Sequence, residues 1–290
     1  MLRDRYHPIV QTVWEGERAD ALIALHARRS AESIAHFHDA AGARRMAVVL
    51  TGTDLYQDLP AGSRAIAHSL DRADRIVVLQ EQALEALAPA WRRKAGVIFQ
   101  SAPLLARRAK PAGRLDAIVV GHLRAVKDPA TLFAAVRALP AGLAIRIRHI
   151  GAPLDAELAG QARALERADP RYRYSGALAH GLARSAIAHA HVLVHPSVVE
   201  GGANVIVEAV TAGTPVIASR IAGNIGMLGA DYPGYFEPRD AAGLAALLVR
   251  ALEEPRFAAA LRRACAARRP LFRPAAETRA VRALAAAMLS

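Results

Sequence analysis

The chain has 290 residues and a net charge of +12, and none of its apolar runs approaches the roughly 20 residues that a membrane-spanning helix needs. Its single cysteine, Cys265, excludes an internal disulfide and a thiolate metal site and fits a reducing cytoplasm. The arginines are spread along the sequence and aromatic residues make up only 5%, which argues against a nucleic-acid surface despite the charge. We therefore expect a soluble cytoplasmic protein with neither a membrane nor a nucleic acid as partner.

The N-terminal third alternates short apolar runs with amphipathic stretches, the pattern of βα units on a parallel sheet. A helix is predicted after Ser30, a residue type that favours the N-cap position. Basic residues and prolines then break the periodicity from Pro103 to Gly113, which predicts an interdomain linker. The strands predicted before the linker are Ala21–Leu25, Met46–Leu50, Arg75–Leu79 and Gly96–Phe99.

A second alternating set follows the linker. Two doubly wound α/β sheets would place their strand carboxyl ends, where such folds bind ligands, on facing edges of a cleft. We predict one domain over residues 1–106, a second over 107–270 and a C-terminal helix within 271–290, with a loop at Gly223–Gly226. The predicted strands are Ala117–Val120, Ala144–Ile150, Tyr172–Tyr174, His191–His195 and Pro215–Ser219. The predicted helices are Pro129–Leu139, Leu154–Ala168, Gly181–Ala190, Asn204–Ala212, Ala241–Leu252 and Pro274–Leu289.

The segment from Pro196 to Ala209 combines a glycine-rich turn with two carboxylates, Glu200 and Glu208, which have seven residues between them. Such a turn leads into a helix N-terminus, where free backbone N–H groups bind phosphate. Glu208 falls about one helical turn inside that helix, so both carboxylates could accept hydroxyl hydrogen bonds from one ligand. The segment predicts a pocket for phosphate and sugar, with helix-capping or surface carboxylates as the alternative.

Three histidines, His189, His191 and His195, raise the question of a zinc site. On a strand, His191 and His195 would share a face about 13 Å apart, which is too far for one ion. We therefore predict a structural role for these histidines and no metal site.

Four segments of the second half resemble the nucleotide-binding domain of GT-B glycosyltransferases of the family 4 type. They are Val120–Pro129, Tyr174–Gly176, Glu200–Glu208 and Ala212–Ser219. The resemblance covers nearly all of residues 114–270. It implies the GT-B fold, with two Rossmann-like domains that face a cleft and a C-terminal helix that crosses back to the N-terminal, acceptor-side domain.

In that family a strand-end loop supplies an arginine and a lysine to the nucleotide diphosphate, the first glutamate of the motif holds the donor sugar, and the second binds the ribose. By position, the resemblance implies these roles for Lys127, Glu200 and Glu208. The usual arginine position is His122, and Arg124 could instead supply the charge that stabilises a leaving UDP without a metal or other cofactor. The alternative is that Arg124 and Lys127 are ordinary charged residues of a surface loop with no role in binding. The residues assigned to donor binding are Gly121, His122, Gly201, Gly202, Ala203, Asn204, Val205 and Glu208, and those assigned to catalysis on this side are Glu200, Arg124 and Lys127.

A further set of segments resembles the selenosugar synthases of selenoneine biosynthesis. They are Leu25–Ser30, Leu50–Tyr56, Gly121–Pro129, Glu200–Val205 and Asp231–Phe236. The resemblance implies transfer of a sugar from a UDP-sugar, with UDP-N-acetylglucosamine favoured, to selenophosphate, and loss of phosphate to give a selenosugar. GT-B enzymes open with a strand, a glycine-rich loop and a helix, and Met1–Asp4 resembles the tail of that helix. We therefore expect the N-terminal domain to lack its first βα unit.

An anionic acceptor needs cationic groups in the N-terminal domain. His26, Arg28 and Arg29 follow a predicted strand and enter a helix, so two guanidinium groups and a helix N-terminus could meet a phosphate there. Thr53 and Asp54 close another strand and are assigned to the same acceptor site. Because selenophosphate is already an ionised nucleophile, His26 is assigned a catalytic role in orientation or charge stabilisation rather than as a base. Solvated arginines and simple helix capping are the alternatives.

Two other functions are compatible with the same residues. A UDP-sugar 2-epimerase on this fold would release a rearranged sugar without an acceptor. A non-catalytic sugar-nucleotide-binding protein would bind the donor and leave it intact. Release of UDP that depends on selenophosphate distinguishes the transferase from both.

Overall fold

A computed structural model describes residues 1–41, 45–106 and 108–290, so Arg107, the first residue of the predicted second domain, lies outside the described residues. The chain forms two compact units. Unit 1 comprises residues 1–101, 200–202 and 274–290, and unit 2 comprises residues 102–199 and 203–273. In the described part of the chain, none of the helices has the length and apolar character needed to span a membrane.

The elements follow in chain order. The strands are β1 Leu22–Leu25, β2 Met46–Val49, β3 Arg75–Val78, β4 Ala95–Val97, β5 Leu115–Val120, β6 Ile145–Ile150, β7 Tyr172–Tyr174, β8 Val192–His195, β9 Val216–Ser219 and β10 Tyr235–Phe236. The helices are α1 Ala31–Ala41, α2 Arg64–Arg72, α3 Pro89–Arg92, α4 Pro129–Ala138, α5 Ala156–Ala168, α6 His180–His189, α7 Asn204–Ala212, α8 Ala222–Leu228, α9 Ala241–Glu253, α10 Pro255–Arg268 and α11 Pro274–Leu289.

Each unit is built on a parallel sheet. In the described residues, unit 1 has four strands in the order β1-β2-β3-β4, and unit 2 has six in the order β10-β9-β8-β5-β6-β7. The pairs in both sheets are parallel. Strands β8 and β9 are buried along their whole length, as expected of central strands with helices on both faces. The predicted α/β class with two Rossmann-like sheets is confirmed.

The predicted strands are present, and none of their ends differs from the prediction by more than two residues. The sequence does not predict β10, because a strand of two residues has no periodicity to recognise. The predicted loop at Gly223–Gly226 is wrong, since these residues lie in α8. Asn224 explains the difference: its fully buried amide donates to the backbone oxygen of Ser219 at 2.9 Å and holds the helix against the end of β9.

The strand order of unit 2 reverses at β5, which lies between β6 and β8. Ligands of such sheets bind at the carboxyl ends of the strands beside this reversal. There, the Gly121 N–H donates to the Ile150 oxygen at 2.9 Å and the Gly151 N–H donates to the Gly176 oxygen at 2.8 Å. A Cβ atom on Gly151 would lie 1.9 Å from the Gly121 oxygen, so only glycine permits this approach of two strand ends.

We predict that Gly151→Ala destabilises unit 2 by roughly 1–3 kcal/mol, because the added methyl group forces the two strand ends apart. Urea unfolding followed by circular dichroism measures the change. Gly160→Ala is the matched control in the same unit, since a Cβ on this exposed residue of α5 meets nothing within 4 Å. The control should gain about 0.5–1 kcal/mol from helix propensity. Equal stability of Gly151→Ala and the wild type would contradict the close approach.

Candidate functional site

The loop after β5 carries the first group of predicted site residues. Gly121 follows the strand, exposed Arg124 begins a short 3-10 turn over Ala125–Lys127, and Asp128 adopts a left-handed backbone with φ 44° before α4. The Asp128 carboxylate accepts from the Thr131 N–H at 3.4 Å and from its hydroxyl at 2.6 Å. This N-cap fixes the turn that presents the predicted diphosphate contacts.

His122 occupies the position of the arginine in the family 4 type. Its ring makes a hydrogen bond to the backbone of unit 2. Its Nδ1 accepts from the Ala152 N–H at 2.9 Å, while the Leu123 N–H donates to the Ala152 oxygen at 2.9 Å. The Nδ1 atom of His122 is thereby occupied by a backbone contact. The same loop carries the basic side chains of Arg124 and Lys127.

The same loop is also held by His149, a buried residue of β6 that is not predicted from the sequence. It is 2% exposed, its Nε2 donates to the Gly121 oxygen at 3.1 Å, and its Nδ1 accepts from the Tyr172 hydroxyl at 2.9 Å. Burial lowers the pKa of His149 from 6.5 to about 4, which leaves the ring neutral at pH 7. The imidazole thus links β6 and β7 to Gly121, the residue that follows β5.

The segment after β8 is joined to the β5 loop by the backbone, because the Val198 N–H donates to the Val126 oxygen at 3.0 Å. Helix α7 then begins at Asn204, after Ala203 in an extended conformation. The N–H groups of Asn204 and Val205 point out of the first turn, where a helix leaves its donors without internal partners. Unit 2 therefore brings two basic side chains and a helix N-terminus, a feature that can bind anions, to one sheet edge.

Glu208 lies on the second turn of α7 and is buried, with 7% of its surface exposed. Its Oε1 accepts from Nε2 of His180, the first residue of α6, at 2.5 Å. His180 is not predicted from the sequence, because no spacing rule links two residues that are 28 positions apart. A buried carboxylate that a neighbouring ring orients is suited to accept hydroxyl hydrogen bonds.

The predicted acceptor residues lie together in unit 1. His26 follows β1 with φ 69°, an uncommon conformation for a residue other than glycine, and it is 6% exposed. Its Nε2 lies 3.1 Å from the Thr53 hydroxyl and its Nδ1 lies 3.6 Å from Oδ2 of Asp54. Arg28 is half-exposed and its Nε lies 3.1 Å from the Asp58 carboxylate, while Arg29 is exposed. Both guanidinium groups are accessible beside the histidine.

Asp54 is fully buried, and its carboxylate binds backbone rather than facing solvent. The N–H groups that donate to it, at 2.8 to 3.3 Å, are those of Ala27, Thr51, Gly52 and Leu55. It therefore holds the loops that follow β1 and β2, including the residues on which Gly201 packs. A Cβ on Gly201 would lie 2.2 Å from the Thr51 oxygen, so this position of the glycine motif also requires glycine for packing.

Comparison with known proteins decides the family. The family described as glycosyl transferases group 1 matches residues 104–268, which is more than half of the chain. The chain belongs to the group 1 glycosyltransferases. Its GT-B fold is shared with solved structures, and no curated protein sequence matches it.

Three solved structures illustrate the fold of this glycosyltransferase. Anabaena Alr3699/HepE in complex with UDP-glucose is 15% identical, with a TM-score of 0.70 over 91% of this chain and 78% of that chain. The pneumococcal O-GlcNAc transferase GtfA with UDP and GlcNAc is 17% identical, with a TM-score of 0.73 over 92% and 57%. The UDP-forming α,α-trehalose-phosphate synthase of Burkholderia xenovorans with glucose-6-phosphate is 16% identical, with a TM-score of 0.74 over 92% and 74%. At these identities the likeness concerns the fold alone.

The three histidines considered for zinc have protein contacts or lie in the core of the glycosyltransferase. His191 Nδ1 accepts from the Asp116 N–H at 3.0 Å, His189 Nδ1 donates to the Ser185 oxygen at 2.7 Å, and His195 is buried in β8. Within the described ranges, no group of three or more histidine, cysteine, aspartate or glutamate side chains could hold a metal ion.

We predict that His149 makes the stability of unit 2 depend on pH. Because its pKa is lowered to about 4 in the folded state, the unfolded chain binds more protons between pH 6.5 and 4, and the unfolding free energy falls as the pH falls through this window. The loss amounts to about 3 kcal/mol. Urea unfolding at pH 7 and pH 4 compares the wild type with His149→Gln, which keeps a donor for the Gly121 oxygen and does not titrate.

Between pH 7 and pH 4, the unfolding free energy of the variant should fall by about 3 kcal/mol less than that of the wild type. His189→Gln, at an exposed position of α6, is the control and should follow the wild type. The same pH dependence in the His149 variant and the wild type would show that the ring is not held neutral.

Proposed function

We propose that the chain transfers a sugar from a UDP-sugar, with UDP-N-acetylglucosamine as the favoured donor, to selenophosphate. The bond between the anomeric carbon and the diphosphate oxygen breaks, a carbon–selenium bond forms, and UDP leaves with the electron pair. Water then cleaves the selenium–phosphorus bond, which releases phosphate and a selenosugar. The observation that carries the donor assignment is the single sheet edge that bears Arg124, Lys127, the α7 N-terminus and Glu208.

In the donor site, Arg124 and Lys127 bind the diphosphate and stabilise the charge that develops as UDP leaves. The N–H groups from Ala203 to Val205 share that charge, so the proposed mechanism assigns it to protein groups and to no metal. The Nδ1 atom of His122 is occupied by the Ala152 N–H, which supports the assignment of Arg124 as the replacement cation. The structures of HepE with UDP-glucose and of GtfA with UDP and GlcNAc support a UDP-sugar as the donor class.

Glu208 binds the ribose in this proposal, and Glu200 holds the hydroxyls of the donor sugar. Burial of Glu208 and its fixed Oε1 contact support the first role. The second role rests on the family 4 resemblance of the glycine motif. Gly121, Gly201 and Gly202 let the backbone approach the ligand closely.

In the acceptor site, Arg28 and Arg29 bind the phosphate oxygens of selenophosphate. Their accessibility supports this role, since the Arg28 partner Asp58 leaves guanidinium N–H groups available for an anion. His26 and Thr53 face each other beside these arginines and orient the nucleophile. Asp54 contributes by holding the backbone of both loops.

We predict that Glu208→Ala weakens UDP binding at least about tenfold, because a hydrogen bond to a charged group contributes roughly 1.5–3 kcal/mol. Isothermal titration calorimetry with UDP measures the affinity. Exposed Glu237→Ala removes the same charge from unit 2 and should bind UDP like the wild type. Unchanged UDP affinity in Glu208→Ala would remove this residue from the donor site. Glu200→Ala should bind UDP normally and lose turnover.

We predict that the enzyme releases UDP from UDP-N-acetylglucosamine only when selenophosphate is present. The double variant Arg28→Ala/Arg29→Ala should raise the KM for selenophosphate about tenfold or more, because two charge-assisted contacts are lost, and should keep the wild-type affinity for UDP. Exposed Arg64→Ala, on α2 of the same unit, is the matched charge control.

Release of UDP without selenophosphate would favour a 2-epimerase. Binding without release would favour a sugar-nucleotide-binding protein. An unchanged KM in the double variant would place the acceptor elsewhere.

A further inference from the structure

His180 and Glu208 form a contact between an exposed side chain and a buried one. Nε2 of His180 donates to Oε1 of Glu208 at 2.5 Å, with 73% of the histidine side chain exposed and only 9% of the glutamate side chain exposed. An imidazole that is so accessible adds little to the packing of α6. Its one described hydrogen-bonding partner, within the residues that the structure describes, is this carboxylate.

The two residues come from different helices, so their contact depends on tertiary structure. His180 is the first residue of α6, and Glu208 lies on the second turn of α7. The buried face of α6 is formed instead by Ala183, Ile187 and Ala188, which hold that helix without the histidine. Replacement of His180 should therefore leave the helices in place and change only the carboxylate.

A carboxylate has two oxygens, and His180 engages only Oε1. We propose that His180 is a positioning residue for nucleotide binding: it fixes the Glu208 carboxylate with Oε2 turned toward the ribose hydroxyls of the donor. This inference rests on the proposed UDP-sugar site. Without His180 the glutamate samples other rotamers, and binding must then order it.

The expected result is a loss of affinity confined to nucleotides with ribose hydroxyls. His180→Ala should raise the Kd for UDP about tenfold and the KM for the UDP-sugar similarly, with kcat within about twofold of the wild type. His180→Gln, which can place a donor near the same carboxylate, should restore most of the affinity. The Kd for 2′,3′-dideoxyuridine diphosphate, which has no ribose hydroxyls, should be the same in the wild type and in His180→Ala.

The experiment is isothermal titration of the full chain with UDP and with the dideoxy nucleotide, for the wild type, His180→Ala, His180→Gln, Glu208→Ala and the double variant His180→Ala/Glu208→Ala. If His180 acts through Glu208, the double variant binds UDP within about twofold of Glu208→Ala. His189→Ala, an exposed histidine at the other end of α6, is the matched control and should bind like the wild type.

Three results would overturn the inference while UDP still binds the wild type: unchanged UDP affinity in His180→Ala, equal losses for both nucleotides, or additive losses in the double variant. Failure of the wild type to bind UDP would instead reject the donor site itself and this inference with it. Circular dichroism of each variant identifies any loss that arises from unfolding, and His180→Gln then provides the folded comparison.

Discussion

Parallel pairing is the constraint on which the geometry of each unit depends. A strand that pairs in parallel with its neighbour is reached through a crossover, so strand carboxyl ends collect at one edge of the sheet. In unit 2, this constraint carries the loops after β5, β6, β7 and β8 to a common edge. The cations after β5 and the carboxylate of α7 are brought there by topology, although many residues separate them along the chain.

Backbone contacts help to hold that edge together. Gly121 and Gly151 approach so closely that the second position has no room for a Cβ atom, and buried His149 links the Gly121 oxygen to the Tyr172 hydroxyl. A neutral imidazole with both nitrogens hydrogen-bonded is far less costly to bury than a charged one. The basic groups that we propose for diphosphate binding thereby stay out of the core, on the turn that includes exposed Arg124.

The sequence predicts the strands of both sheets well because buried parallel strands are continuous apolar runs, as in β8 and β9. It also identifies the loop after β5 and the glycine motif, whose chemistry is local. It does not identify His149 or His180, since their partners lie 23 to 28 positions away and neither residue belongs to a spacing pattern. The helix at Gly223–Gly226 was unpredictable for a similar reason: two glycines indicate a loop, and the buried amide of Asn224 overrides them through a tertiary hydrogen bond.

The two glycines of the motif have a packing role that their sequence pattern does not indicate. Their sequence pattern predicts a phosphate-binding turn. An added Cβ, however, would lie 2.2 Å from the Thr51 oxygen at Gly201 and 2.6 Å from Cβ of Leu79 at Gly202. Packing inside unit 1 is therefore sufficient to require glycine at both positions. The proposed nucleotide site depends instead on two groups that packing does not require. They are the exposed Arg124 side chain and the buried Glu208 carboxylate, which contacts an exposed histidine. A buried carboxyl group is costly unless it is hydrogen-bonded, and in the proposed site a ribose hydroxyl adds a second partner to the one that His180 provides.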